Sequence, residues 1–233
     1  MEIVENYARR YSLDRLLSAD LVEALFPLHR KPGEYIIVAG DPVRDLLFFV
    51  AGRSKAYNTL DNGASILAAF YAPFDVFGEA ELFSSERYAL SVEAISETVC
   101  LGLPIAAIKK AAGRNEQLFM YLCGRLGAKL LDRNLAESIN LRYPVESRLA
   151  SYLLASTDSE GRILGTDNLG ELADYLGASY RQLARIVRRF RDEGVMETAR
   201  GRIRVLDRTR LEPLAGDLYR HTGSRLSPQA FLK

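Results

Sequence analysis

The sequence predicts an α+β chain with an N-terminal double-stranded β-helix (jelly-roll) barrel, a long helix and a C-terminal winged helix-turn-helix. Short β-rich segments separated by turn residues recur between residues 33 and 103, a spacing typical of small barrels. A single long helical pattern follows over residues 115–138. Two short helical patterns then flank a glycine turn within residues 167–191, and the second has a basic face, which is the pattern of a helix-turn-helix.

The barrel prediction rests on strands that are short and evenly spaced. A short helix over Ser18 to Leu25 precedes them. The predicted strands are residues 35–38, 46–50, 54–57, 66–71, 91–94 and 98–101. Asn62 and Gly63 predict a hairpin because the pair suits a tight turn with positive φ. Pro104 marks the start of the next helix.

The long helix is too apolar along one stripe to be surrounded by solvent. Such a stripe packs on its own barrel or pairs with the same helix of a second subunit. We favour pairing, because a helix-turn-helix usually works as a two-fold dimer on paired half-sites. The predicted dimer contacts are Leu118, Leu122, Leu126 and Leu130.

A proline separates the long helix from the segment that follows it. Pro144 interrupts the helical pattern and restricts Tyr143, so residues 140–145 are the predicted hinge. The expected domains are an effector barrel over residues 1–113, a dimerisation helix and hinge over residues 114–143, and a DNA-binding domain over residues 144–233.

The helix-turn-helix is specified by its caps, its turn and its apolar face. Asp167 or Asn168 is the predicted N-cap of the first helix, and Ser179 is that of the second. Gly177 allows the positive φ at which the first helix ends. The predicted buried face of the second helix comprises Leu183, Ile186, Val187 and Phe190.

The outward residues of the second helix predict a major-groove contact with DNA. A hairpin with its turn at Arg200 and Gly201 predicts a wing whose arginines reach phosphates, and residues 211–215 predict a short closing helix. The candidate DNA-binding residues are Ser179, Tyr180, Arg181, Gln182, Arg185, Arg188, Arg189, Arg200 and Arg202.

Composition supports the same interpretation. The 233 residues have a formal net charge of +1. Residues 1–140 contain 15 Lys/Arg against 18 Asp/Glu, whereas residues 141–233 contain 16 against 12. The basic excess therefore lies in the half with the helix-turn-helix, as attraction to phosphate requires. There is no membrane-spanning apolar run and no signal peptide, so we expect a cytoplasmic protein without a membrane partner.

Cysteine and histidine content argues against metal and cluster chemistry. Cys100 and Cys123 cannot supply the four thiolates of an iron–sulfur cluster. Each suits a small buried apolar role, and a redox switch through a disulfide within or between subunits is the alternative. A jelly-roll metal oxygenase needs clustered histidines, but His29 and His221 lie at opposite ends of the chain. We therefore expect no catalytic residue, no metal site and no enzyme activity.

The order of barrel, long helix, hinge and winged helix-turn-helix resembles the CRP/FNR family of bacterial transcription regulators over about residues 17–214. The matching positions are Gly40, Gly52, Phe77 to Phe83, Gly177, Ser179 and Arg185. Segments similar to the YeiL-like branch are residues 60–63, 77–82, 100–104 and 179–181. The resemblance implies a homodimer that binds an operator in double-stranded DNA, with RNA polymerase as a candidate partner. It also implies a barrel that senses an unidentified small-molecule effector or redox state.

The chain departs from the family's nucleotide-binding pattern. Cyclic-AMP-binding members hold the phosphate with an Arg-Ser pair, and that pair aligns with Tyr88 and Ala89. A family glycine aligns with Phe74. The resemblance implies a candidate effector pocket of Gly78, Glu79, Arg87, Tyr88, Ala89, Arg133 and Asn134. Without the Arg-Ser pair, cyclic AMP is disfavoured, and no cofactor is expected.

A ligand-binding adaptor that has lost DNA binding is the alternative function. The five arginines within residues 181–191 argue against it. A jelly-roll enzyme is a weaker alternative for the reasons given above.

Overall fold

The computed structural model describes residues 2–59, 65–84, 86–111, 115–157, 160–163, 168–199 and 202–215. The described residues fall into two compact units. The first contains the barrel and the long helix up to Leu131, and the second begins at Asp132 and also takes in residues 66–68. The division thus lies inside the long helix and not at the predicted domain boundaries on either side of it.

The barrel consists of two four-stranded antiparallel sheets. Its described strands are β1 (Phe26–Arg30), β2 (Tyr35–Ile37), β3 (Asp45–Ala51), β4 (Ser54–Thr59), β5 (Ser65–Tyr71), β6 (Asp75–Phe77), β7 (Ser91–Ala94) and β8 (Thr98–Pro104). The sheet orders are β1-β8-β3-β6 and β2-β7-β4-β5. Every predicted strand is present, which confirms the jelly-roll prediction. The sequence analysis missed β1, which contains Pro27, and the three-residue β6. The predicted hairpin at Asn62 and Gly63 lies outside the described residues.

Helices precede, interrupt and follow the barrel strands. Those described are α1 (Glu2–Arg10), α2 (Leu13–Leu16), α3 (Ala19–Glu23), α4 (Glu81–Ser84), α5 (Ile105–Lys110) and α6 (Glu116–Arg142). The predictions at Ser18 and Pro104 are confirmed by α3 and α5, which begin directly after these residues. The long helix is α6, and it extends four residues past the predicted end.

Two apolar clusters form the core of the first unit. One fills the barrel interior, where Phe49 pairs with Cys100 across β3 and β8. The other joins the opposite face of that sheet to the N-terminal helices and to the start of α6. The side chains of Leu118 and Leu122 are fully buried in this second cluster. The first half of α6 therefore packs on its own barrel.

The second unit contains the predicted helix-turn-helix and wing. Its described elements after α6 are α7 (Val145–Ser156), α8 (Leu169–Tyr175), α9 (Tyr180–Asp192), β9 (Met196–Ala199) and β10 (Arg202–Val205). Pro144 lies between α6 and α7, at the predicted hinge. The sequence analysis missed α7. The closing helix predicted at residues 211–215 is wrong, because that segment forms only turns. No described helix combines the length and apolarity needed to cross a membrane.

Candidate functional site

The predicted caps and turn hold α8 and α9 in a helix-turn-helix. The side chain of Asn168 accepts hydrogen bonds from the Gly170 and Glu171 amides at 2.9 and 3.3 Å. Gly177 has a φ of 58°, so the chain turns where a side chain would be disfavoured. The Ser179 hydroxyl accepts from the Gln182 amide at 3.2 Å. Both predicted N-caps therefore satisfy amides that the helices leave free.

The outward face of α9 presents a row of unpartnered arginines. The four apolar residues predicted to be buried are buried, whereas Tyr180 and Gln182 are exposed. Arg181, Arg185 and Arg188 follow one another at intervals of four and three residues, so they lie along one line of the helix. Within the described part of the chain, no side-chain hydrogen bond or ion pair engages these three guanidinium groups. Such a row favours an external anion.

The row borders a groove beside the wing. The groove lies between α9, the start of α8 and the hairpin of β9 and β10, and Tyr180, Arg185, Arg188, Arg191, Thr198 and Ile203 line it together with the start of α8. The hairpin pairs Arg202 with Ala199, and Arg202 is exposed. The wing residue Arg200 lies outside the described residues. Among the described residues, the groove thus combines the recognition helix and the wing on one surface.

Arg189 differs from the other predicted DNA-binding arginines. Its Nη2 atom forms an ion pair with Glu146 Oε1 of α7, and its Nε lies 3.7 Å from Glu193 Oε1. The hydrogen bond to Glu146 raises the pKa of the Arg189 guanidinium. This side chain is therefore engaged within the protein.

In the barrel, the candidate effector residue Glu79 is bonded to the long helix. Its carboxylate is buried and lies 2.5 Å from Lys129 Nζ. The same ammonium lies 3.1 Å from Asp75 and donates to the Val76 carbonyl at 2.6 Å. Arg125 Nη2 completes the cluster at 2.7 Å from Asp75. Asp75, Glu79, Arg125 and Lys129, which we call the ion cluster, thus contain two charges of each sign.

Electrostatics within the ion cluster follow from burial and mutual pairing. Burial raises the pKa of Glu79, and Lys129 opposes that shift. Burial lowers the pKa of Lys129, but Asp75 and Glu79 outweigh it, so the net shift is upward. Lys129 therefore stays charged and pairs with the carboxylate of Glu79, a candidate residue of the effector pocket.

The remaining candidate pocket residues do not form an anion site. A Cβ at Gly78 would lie 3.4 Å from the Tyr88 ring, and the Tyr88 hydroxyl donates to the Asp45 carbonyl at 3.0 Å. Burial raises the pKa of Tyr88 to about 12. Arg87 donates to the Gly40 carbonyl at 2.6 Å, and the Ala89 amide donates to Glu81 at 3.0 Å. Arg133 and Asn134 are exposed on α6 in the second compact unit.

Comparison with known proteins agrees with the barrel and with the helix-turn-helix. A cyclic nucleotide-binding domain model matches residues 27–115, and a Crp-like helix-turn-helix domain model matches residues 147–214. The regulatory protein YeiL of Escherichia coli O157:H7 is 30% identical over 183 residues, covering 78% of this chain and 82% of that protein. The chain belongs to the CRP/FNR family of transcription regulators. The similarity to YeiL also fits the predicted branch.

Solved structures of CRP/FNR regulators share the fold. A crp/fnr-family regulator from Eubacterium rectale has a TM-score of 0.73 and 24% identity, covering 88% of this chain and 98% of that one. A CRP-family regulator from Thermus thermophilus has a TM-score of 0.69 and 23% identity, covering 82% and 98%. The α+β prediction is confirmed.

The dimer residues predicted for this CRP/FNR regulator need correction. Leu118 and Leu122 are fully buried within their own chain, so they cannot contact a second subunit. Leu126 is half-buried, and Leu130 is 61% exposed. The leucine stripe of α6 therefore has two roles, because Leu118 and Leu122 pack on the barrel whereas Leu130 is exposed among the described residues.

The two cysteines lie in different surroundings. Cys100 is buried inside the barrel, and burial raises the pKa of its thiol to about 12. Cys123 is exposed on α6, and both thiols are free. A protonated thiol in an apolar core is unreactive, so the structure argues against a disulfide between these two residues.

Sequence reasoning missed Asp75, Arg125 and Lys129 as functional candidates. Their signal was present, because Arg125 and Lys129 interrupt an apolar helical stripe at a spacing of four residues. Two basic residues one turn apart on a buried face require buried carboxylates. Glu146 was missed because α7 itself was not predicted.

Proposed function

We propose that this CRP/FNR regulator binds two-fold-related half-sites of an operator as a homodimer, with α9 in the major groove. The main support is the exposed row of Arg181, Arg185 and Arg188, which have no side-chain partner among the described residues. Arginine donates two hydrogen bonds to O6 and N7 of guanine, the commonest specific base contact. In the resemblance to the family, Arg185 also aligns with an arginine that reads guanine. We therefore expect guanine in each half-site.

Selection of binding sites from random DNA tests the proposal. The purified regulator should enrich an inverted repeat with guanine in each half. Arg9→Ala removes one exposed positive charge from α1 and serves as a control that should select the same sequence. Enrichment of no sequence above background would contradict DNA-specific regulation and would favour the adaptor alternative.

The uncovered face of α6 supports the homodimer. Met120, Leu130 and Leu131 are 57%, 61% and 69% exposed, and Cys123 is exposed on the same helix. At Gly124 and Gly127 an added Cβ would meet nothing within 4 Å, so a second helix can approach closely. Burying each large apolar side chain contributes about 1.5–3 kcal/mol.

Sedimentation tests the dimer with variants chosen from exposure. Leu130→Glu with Met120→Glu should give a folded monomer at micromolar concentration. Leu122→Glu does not test association, since it places a charge in the chain's own core. Mild oxidation should join two wild-type chains through Cys123 and should leave Cys123→Ser unlinked. A wild-type protein that sediments as a monomer would overturn this part of the proposal.

The barrel is proposed to sense an effector other than a cyclic nucleotide. Lys129 already pairs with Glu79, Tyr88 packs over Gly78, and Arg87 is bonded to Gly40. The burial of Cys100 argues against a redox switch through a disulfide between Cys100 and Cys123, whereas a disulfide between two copies of Cys123 stays the redox alternative. Contact with RNA polymerase remains a proposal that rests on family membership.

A further inference from the structure

Two polar side chains in the first turn of α7 contact both helices of the helix-turn-helix. Glu146 forms the ion pair with Arg189 of α9. Arg148 donates from Nη1 to the carbonyl of Leu176, the residue at which α8 ends. A single helical turn is therefore bonded to the C-terminal end of the first helix and to the last turn of the second.

The contact made by Arg148 is buried. Its side chain is 5% exposed, and its acceptor is one of the carbonyls that a helix leaves without an internal partner at its C-terminus. A charged donor that satisfies this carbonyl holds the start of the turn at Gly177 against α7. The position of α9 depends on that turn.

The contact made by Arg189 competes with any contact to DNA. Its guanidinium lies between the carboxylates of Glu146 and Glu193. To reach a phosphate through Nη2 or Nε, the side chain would have to leave one of these carboxylates. Arg188, the preceding residue, is exposed and has no such partner among the described residues. The two adjacent arginines therefore have different surroundings.

We infer that Arg189 is a positioning residue and not a DNA contact, and that it forms with Glu146 and Arg148 a bracket that orients α9 on α7. The inference rests on the proposed DNA-binding function. Because α7 begins directly after Pro144, where α6 has ended, a backbone change at the hinge passes through the bracket to both DNA-binding helices.

The salt dependence of operator binding separates positioning from contact. Each lost arginine–phosphate contact lowers the slope of log affinity against log salt by about one unit. Arg188→Gln, the matched control, should lower it by that amount for each half-site, since the homodimer contains two copies of the residue. Arg189→Gln should leave the slope unchanged and weaken operator binding by about threefold, the effect of an exposed ion pair. Glu146→Gln should do the same.

The double variant tests whether Arg189 and Glu146 act together. Both single variants remove the same ion pair. The double variant should therefore weaken operator binding by about threefold, as each single variant does, and not by about ninefold. A slope lowered by about one unit for each half-site in Arg189→Gln would overturn the inference, as would unaltered affinity in Glu146→Gln.

A measurement without DNA keeps this inference distinct from the proposed function. If the wild-type regulator shows no operator preference, the proposed function fails. The bracket is then judged by thermal unfolding of the same variants. If the Tm shift of the double variant is smaller than the sum of the shifts of Glu146→Gln and Arg189→Gln, the bracket is supported. If the two shifts add fully, the bracket is overturned.

Discussion

The ion cluster in the barrel and the outward face of α9 both contain closely spaced basic residues, yet their surroundings are opposite. In the ion cluster, Arg125 and Lys129 face Asp75 and Glu79 at 2.5–3.1 Å, so the charges balance inside the protein. On α9, the arginine row has no carboxylate partner among the described residues. Balanced buried charge stabilises a fold, whereas unbalanced exposed charge is available to a ligand.

The largest expected effect is on stability, at Arg125. Arg125→Met leaves the buried Asp75 carboxylate with Lys129 and the Val76 amide as its remaining described partners, and removing one member of a buried ion pair costs about 3–5 kcal/mol. Chemical denaturation of Lys110→Met, which removes an exposed charge at the end of α5, is the control and should change little. If Arg125→Met is as stable as the wild-type protein, the ion cluster does not stabilise the fold, and the contrast with the arginines of α9 does not hold.

The next effect is on DNA recognition, at Arg185. Arg185→Ala should weaken operator binding by about 1–3 kcal/mol per half-site and relax the preference at one base pair. Because the side chain is exposed, Tm should hardly move. Quantitative band-shift titrations against single-base operator variants measure both quantities. If Arg185→Ala leaves both the affinity for the operator and the preference among its single-base variants unchanged, α9 is not the helix that reads the bases.

A smaller effect is expected at the wing, where two arginines provide an internal control. Arg202→Ala should weaken binding to all sequences alike and lower the salt slope by about one unit for each half-site. Arg204, two residues along β10, lies 3.6 Å from Glu197 and donates to the Glu160 carbonyl at 3.2 Å. Arg204→Ala should therefore change the slope less. If Arg204→Ala lowers the salt slope more than Arg202→Ala does, pairing within the protein does not predict which arginines contact DNA.

The last prediction concerns cyclic AMP, which should not change the stability of the protein. A ligand present at about 100 times its Kd would stabilise the native state by about 2.7 kcal/mol. Because Lys129 pairs with Glu79 and Tyr88 and Ala89 stand where the family has its Arg-Ser pair, millimolar cyclic AMP or cyclic GMP should leave Tm unchanged. Calorimetric binding at submicromolar concentration would show that the ion cluster opens to admit a nucleotide.

The sequence by itself determined the elements and their order. The caps at Asn168 and Ser179, the turn at Gly177 and the break at Pro144 depend on residues within one or two turns of each other, and such local effects are legible without a structure. The same is true of the jelly-roll strands, whose turn residues bound them. The sequence analysis missed six of the described elements, namely α1, α2, α4, α7, β1 and β6.

The tertiary structure alone decided which charged and apolar groups meet. Leu122 and Leu130 look alike in the stripe, but one is in the core and the other is 61% exposed, because the apolar cluster beside the barrel covers α6 at Leu122 and not at Leu130. Arg188 and Arg189 look alike on α9, but Glu146 of α7 pairs with one of them. Pairing between groups distant in sequence depends on how helices pack, and the periodicity of a single helix contains no information about its neighbours.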